Sequence, residues 1–153
     1  LDLPADTARA LSRVTLDGVL GLRPVVSLVE DVEDLLDATA GEARTIYDTA
    51  ISTFSRQVDQ LHATGEADET FLYAGPADRL TRPFCRRWVG KVLPRATIDG
   101  LDNGQLPNVL VSGGGYNCRH SWKRVSVFDE ELQALADSGT RVPAVAARLE
   151  AVA

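Results

Sequence analysis

Cysteine and histidine are scarce in this 153-residue chain, with two of each. Three of the four fall in one region: Cys85, Cys118 and His120. On an extended segment, residues 118 and 120 point to the same side, because side chains alternate with a period of two. A thiolate and an imidazole placed so share a metal ion or one small pocket. A four-coordinate zinc site takes Cys85, Cys118 and His120 with Asp78 as the fourth ligand, although the spacing is not the paired CxxC of the commonest zinc modules. A Cys85–Cys118 disulfide in an oxidising compartment is equally compatible with the residues, and two unlinked buried thiols are the third reading. Residues 86–117 hold few apolar side chains and many glycines, so a link between the two sulfurs is expected to hold the loops that core burial leaves loose. The remaining histidine, His62, sits near the expected C-terminus of a helix, where the exposed carbonyls already account for an imidazole.

Around these residues Arg79, Arg82, Arg86, Arg87, Lys91 and Arg95 form a basic cluster with Trp88 inside it. This set describes a phosphate-binding surface with a stacking aromatic, or a solvated face with Trp88 in the core. Gly113, Gly114 and Gly115 form neither a GxxxxGK[ST] loop nor a GxGxxG turn, so no nucleotide fold is expected. A ribonuclease-like site could draw on His120 with Arg79 or Arg82, and Asp78 and Tyr116 are further polar groups at hand. No second histidine or glutamate stands near to complete an acid and base pair. The expectation is therefore a chain without catalytic turnover, with zinc as its one candidate cofactor.

The elements that must position these residues differ sharply in charge. Residues 1–77 carry five Lys and Arg against fourteen Asp and Glu, residues 78–128 carry nine against three, and residues 129–153 carry two against five. The overall pI of about 4.9 hides this polarity, which suits head-to-tail contact between copies or a local polyanion site. No apolar run reaches the roughly 18 residues a membrane span needs. The chain opens at Leu1 and has no methionine, as expected of a processed, trimmed or partial chain, and residues 1–12 do not read as a secretory signal.

Apolar spacing predicts helices over 5–17, 27–39, behind a Ser27–Glu30 capping box, and 42–63, with Gly65 as a C-cap. Thr70 to Tyr73 reads as a strand, with further short strands at 108–111 and 123–127. Asp129 caps a helix that Gly139 ends, and a weaker Ala-rich helix runs over 142–153. The expected fold is α+β: an N-terminal helical arm (1–66), a compact, loop-rich basic module with short antiparallel strands (67–128), and a C-terminal helical tail (129–153).

The ordered string Asp78, Arg79, Thr81, Arg82, Cys85, Gly90, Lys91, Val92, then Gly113, Gly114, Tyr116, Asn117, Cys118, Arg119 and His120, resembles the C-terminal signature of bacteriophage head morphogenesis proteins. These are the minor head proteins similar to the F protein of phage Mu. The resemblance covers residues 40–128 and implies a structural minor head protein, associated with the portal or head interior, that acts in head assembly and genome delivery. It further implies a virion location after assembly in the host cytoplasm. The partners it implies are portal or other capsid proteins and other copies of the chain. DNA contact through Arg79, Arg82, Arg86, Arg87, Lys91 and Arg95 is the companion expectation from the residues. A nucleic-acid-binding protein or small ribonuclease-like enzyme using the 79–95 patch and His120 is the alternative.

Overall fold

The computed structural model describes residues 4–61, 69–126 and 128–152, divided into two compact units that meet at Ser55 and Arg56. His62 and the expected C-cap Gly65 lie outside the described residues.

The first unit is helical. Helix α1 (Ala5–Val19) starts behind Pro4, α2 (Val25–Leu36) behind Pro24, and α3 (Ala40–Gln60) runs on into the second unit. Leu28, Val29 and Val32 recur at helical spacing on α2 and bury against Val14, Ala43 and Tyr47. The arm expected from the sequence therefore has an apolar core of its own. The expected capping box at Ser27 and Glu30 is corrected. Pro24, its φ preset for helix entry, starts α2 two residues earlier, and the Ser27 hydroxyl donates to the Pro24 carbonyl at 2.9 Å from inside the first turn. The reciprocal pair stands at the head of α3. The Thr39 N–H donates to Glu42 Oε2 at 3.0 Å, and the Glu42 N–H donates to Thr39 Oγ1 at 3.4 Å. Thr39→Ala is expected to lower the stability of this unit by about 1 kcal/mol, read as a shift in its urea midpoint.

The second unit is α+β, as expected. Its sheet is antiparallel in the order β2-β1-β3, from β1 (Thr70–Ala74), β2 (Val92–Pro94) and β3 (Ser121–Arg124). Short helices fill the connections: α4 (Pro83–Trp88) and α5 (Arg95–Asp99) flank β2, and α6 (Val109–Ser112) precedes β3. Helices α7 (Glu130–Ser138) and α8 (Pro143–Ala151) follow. Phe71 and Tyr73, alternate residues of β1, turn to one face and bury with Val89, Ile98, Leu110, Trp122 and Leu149. Among the described residues no helix is long and apolar enough to cross a membrane.

Two expectations are corrected here. The strand expected at 108–111 is the single turn α6, because Asn108 (φ 54°) and Gly113 (φ 59°) adopt left-handed backbone at its two ends and close it into a turn. The last strand comes earlier than expected, at Ser121–Arg124. The C-terminal tail packs on the rest of the second unit: Leu149 enters its core, the Val142 N–H donates to the Gly90 carbonyl at 2.8 Å, and Arg141 donates to the carbonyls of Arg86 and Arg87. The two compact units divide at 55/56, inside α3. The expected caps of α7 hold, with the Asp129 side chain accepting from Leu132 N and Gly139 in the left-handed region.

Candidate metal centre

Pro83 starts α4, and the helical period then turns Cys85 and Val89 inward while Arg87 faces solvent. Cys118 arrives on the loop that leaves α6 through Gly113–Gly115, and His120 stands one residue before β3. All three are buried, at 1%, 6% and 2% exposure respectively. Their ligand atoms lie within 4.8 Å of one another.

The distances fit a tetrahedral ion. Two thiolates each about 2.3 Å from a zinc at tetrahedral angles stand roughly 3.8 Å apart, whereas a disulfide needs about 2.05 Å. The Cys85 and Cys118 sulfurs are 3.7 Å apart and both are free, so the disulfide expectation is corrected. His120 Nε2 lies 2.9 Å from the Pro76 carbonyl, which accepts its proton. That bond leaves Nδ1 with its lone pair, 4.0 Å from the Cys118 sulfur, the outer-shell orientation that ligating histidines require. The cluster is thus geometrically compatible with a bound metal ion such as zinc.

The surroundings favour a thiolate. The Gly114 N–H donates to the Cys118 sulfur at 3.0 Å and the His120 N–H at 3.4 Å, while the Tyr73 hydroxyl stands 3.5 Å from both sulfurs. Without metal, the Cys85 thiol donating to Cys118 holds the latter well below the usual thiol range against its burial, and Cys85 moves upward in return. Tyr73 is also pushed up, chiefly by burial. Its ring stacks on that of His120 at 5.3 Å and lies 4.4 Å from Trp122. Two glycines permit the close approach: a Cβ on Gly114 would collide with the Cys85 sulfur, and one on Gly75 with the His120 ring.

Three residues that the sequence did not single out hold the ligand loop. Arg56, 7% exposed, donates to the carbonyls of Val111, Ser112 and Cys118. Asn103 donates to the Ser112 hydroxyl and the Gly113 carbonyl while accepting from Gln105 and Leu106 N–H. The Gln105 side-chain oxygen accepts from Tyr116 N–H and from Arg82. Their signal in sequence is faint, since arginine on an amphipathic helix and amides in a loop are ordinary surface residues.

Asp78 is corrected as the fourth ligand. Its carboxylate accepts a two-pronged bond from Arg119, both contacts 2.8 Å, and further bonds from Leu80 N–H and the Thr81 hydroxyl. The Arg119 guanidinium holds the Asp78 carboxyl well below the usual carboxylate range. Among the described residues no fourth Cys, His, Asp or Glu joins the cluster. The expectation that the chain has no catalytic chemistry of its own is overturned by this arrangement: three buried metal donors, with no fourth such donor among the described residues, are the constitution of centres that keep a coordination position for water or substrate. His120, expected as the proton-transfer group of a ribonuclease-like alternative, offers this centre a ligand nitrogen.

The basic cluster divides. Arg82 donates to Gln105 and the Tyr116 carbonyl, Arg86 reaches the Asp78 carbonyl at 3.5 Å, and Arg95 pairs with Asp99. Arg87 and Lys91 lie over the Trp88 ring at 5.0 and 5.5 Å. Among the described residues Arg79, Arg87 and Lys91 have no carboxylate partner. Compared with known proteins, the chain matches no protein-family model, no curated protein and no solved structure.

Proposed function

We propose that the chain is a zinc-binding module that contacts nucleic acid through the cationic surface beside its metal centre. The observation that carries this reading is α4 itself, which buries Cys85 in the metal cluster and, two residues on, turns Arg87 outward from the opposite face of the same turn. With Arg79 and Lys91 it offers cations that no carboxylate neutralises among the described residues, on the segment whose charge is strongly positive. Binding of the zinc-loaded protein to a DNA duplex is expected to weaken steeply with salt. Each phosphate contact removed lowers the slope of log K against log salt by about 0.9. The Arg79→Ala, Arg87→Ala, Lys91→Ala triple variant therefore loses up to roughly three such increments. A slope near zero in the parent, or one unchanged in the triple variant, would reject the reading.

The resemblance to minor head proteins supplies a setting. The residues that carry it include all three metal donors, together with Gly114 packed on the Cys85 sulfur, Asp78 paired with Arg119, and Arg82 bonded to Tyr116. A signature that describes a shared site would be expected to include such groups. On this second reading the module is part of a phage head, near the portal or the head interior, in contact with portal or capsid proteins and with other copies of itself, and it meets the packaged DNA. Cosedimentation of the protein with assembled heads tests it, and recovery in the free fraction alone counts against it.

A further inference from the structure

We infer that the fourth coordination position of the metal centre takes a phosphate oxygen from outside the chain. This inference rests on the zinc reading and names what the centre binds. A cavity of about 40 Å³ lies against all three ligand residues, and its other walls are Leu80, Arg82, Asn117 and Arg119. The other approaches to the cluster are taken: the Pro76 carbonyl holds the far nitrogen of His120, Gly114 N–H covers the Cys118 sulfur, and the buried Tyr73 hydroxyl spans both sulfurs. The volume holds roughly two or three waters, room for one oxygen of a larger group and its immediate neighbours.

Charge selects the chemistry. Two thiolates and a neutral imidazole leave a dication with no net charge, so the ligand is chosen by the cavity walls. Those walls carry two guanidiniums and no carboxylate. Asp78 neutralises Arg119, but Arg82 donates only to the neutral Gln105 and Tyr116 oxygens and keeps its charge. An anion is favoured there over a thioether or an amine. Arginine, moreover, is matched in geometry to phosphate oxygens.

The test uses the full chain, stripped of metal and reloaded with one equivalent of cobalt(II). Thiolate ligation gives a sulfur-to-cobalt charge-transfer band, which reports the centre itself. Inorganic phosphate is expected to shift the visible d–d bands saturably while that band persists. Arg82→Gln weakens the phosphate response about tenfold, and Arg82→Lys, which keeps the charge, restores most of it. If the charge-transfer band forms and neither phosphate nor azide moves the d–d bands, the position is closed and the inference fails while the zinc reading stands. A response to azide but not to phosphate also overturns it. So does a phosphate response that appears only in Asp78→Asn, because Asp78 then occupies the position in the parent. Absence of the charge-transfer band sinks the zinc reading itself.

Discussion

Removing the metal with a chelator, or replacing Cys118 with alanine, is expected to lower the thermal midpoint of the second unit by roughly 12 to 40 °C while the first unit stays helical. Structural zinc contributes about 10–16 kcal/mol in small peptides that have no core without it. The second unit has a core around Phe71, Tyr73 and Trp122, so a loss on the order of 3–5 kcal/mol is the expected share, at about 4–8 °C per kcal/mol for a unit of this size. The loop from Gly113 to Asn117, which runs through three glycines to Cys118, depends on the centre most directly. Cys85→Ser should cost a similar amount, and the double variant little more, because either change empties the same coordination shell. Elemental analysis and thiol counting complete the test. One zinc per chain, and two reactive thiols after its removal, are expected; equal melting of loaded and stripped protein would exclude a metal that holds the fold.

Arg56→Met should be the most damaging change outside the ligands. Its guanidinium donates to three carbonyls, those of Val111, Ser112 and Cys118, across the loop that delivers a ligand sulfur. Methionine keeps much of the apolar stem but leaves these acceptors buried, at about 1–3 kcal/mol each before relaxation. A net loss of about 3 kcal/mol follows, together with a 10- to 100-fold fall in zinc affinity of the kind seen when outer-shell partners are removed. Competition with a chromophoric chelator measures the second quantity. Affinity within twofold of the parent would show that Arg56 merely fills space.

The parts of the centre legible in the sequence are those that depend on local geometry. Cys118 and His120 share a side because they are two residues apart. Cys85 could be named as a partner by type, but its approach depends on how α4 packs beside β1, a tertiary fact with no local signature. Asp78 has the right chemistry and the wrong commitments: no pattern in the chain reveals that Arg119, forty-one residues on, meets its carboxylate in a fork. Arg56 falls between Phe54 and Val58 on an amphipathic helix and reads as a surface residue until its acceptors are seen. Val109–Val111 fits a strand by composition, and only the left-handed residues Asn108 and Gly113 beside it make it a turn of helix. The long helices, by contrast, are set by periodic burial and by their caps, and their positions follow closely from the spacing of apolar residues. The tail shows few buried residues of its own, and Leu149 ties it to the second unit through contacts that the sequence alone does not display.

Strand β1 lies between two strands that both come later in the chain. During synthesis the first unit has all its core residues once Ile51 has left the ribosome, so it can fold while the second unit is incomplete. Thr70–Ala74 has no sheet neighbour until Val92–Pro94 emerges, and its second edge stays open until Ser121–Arg124 follows. Cys118 and His120 are translated just before that last strand. Completion of the ligand set and closure of the sheet therefore fall within a few residues of each other, so a nascent chain presents all three donors only when the whole sheet of the second unit is about to be available. Chains stalled before residue 92 should emerge as a folded helical unit trailing an unpaired, aggregation-prone strand, and chains stalled between 95 and 117 should keep one edge of that strand open.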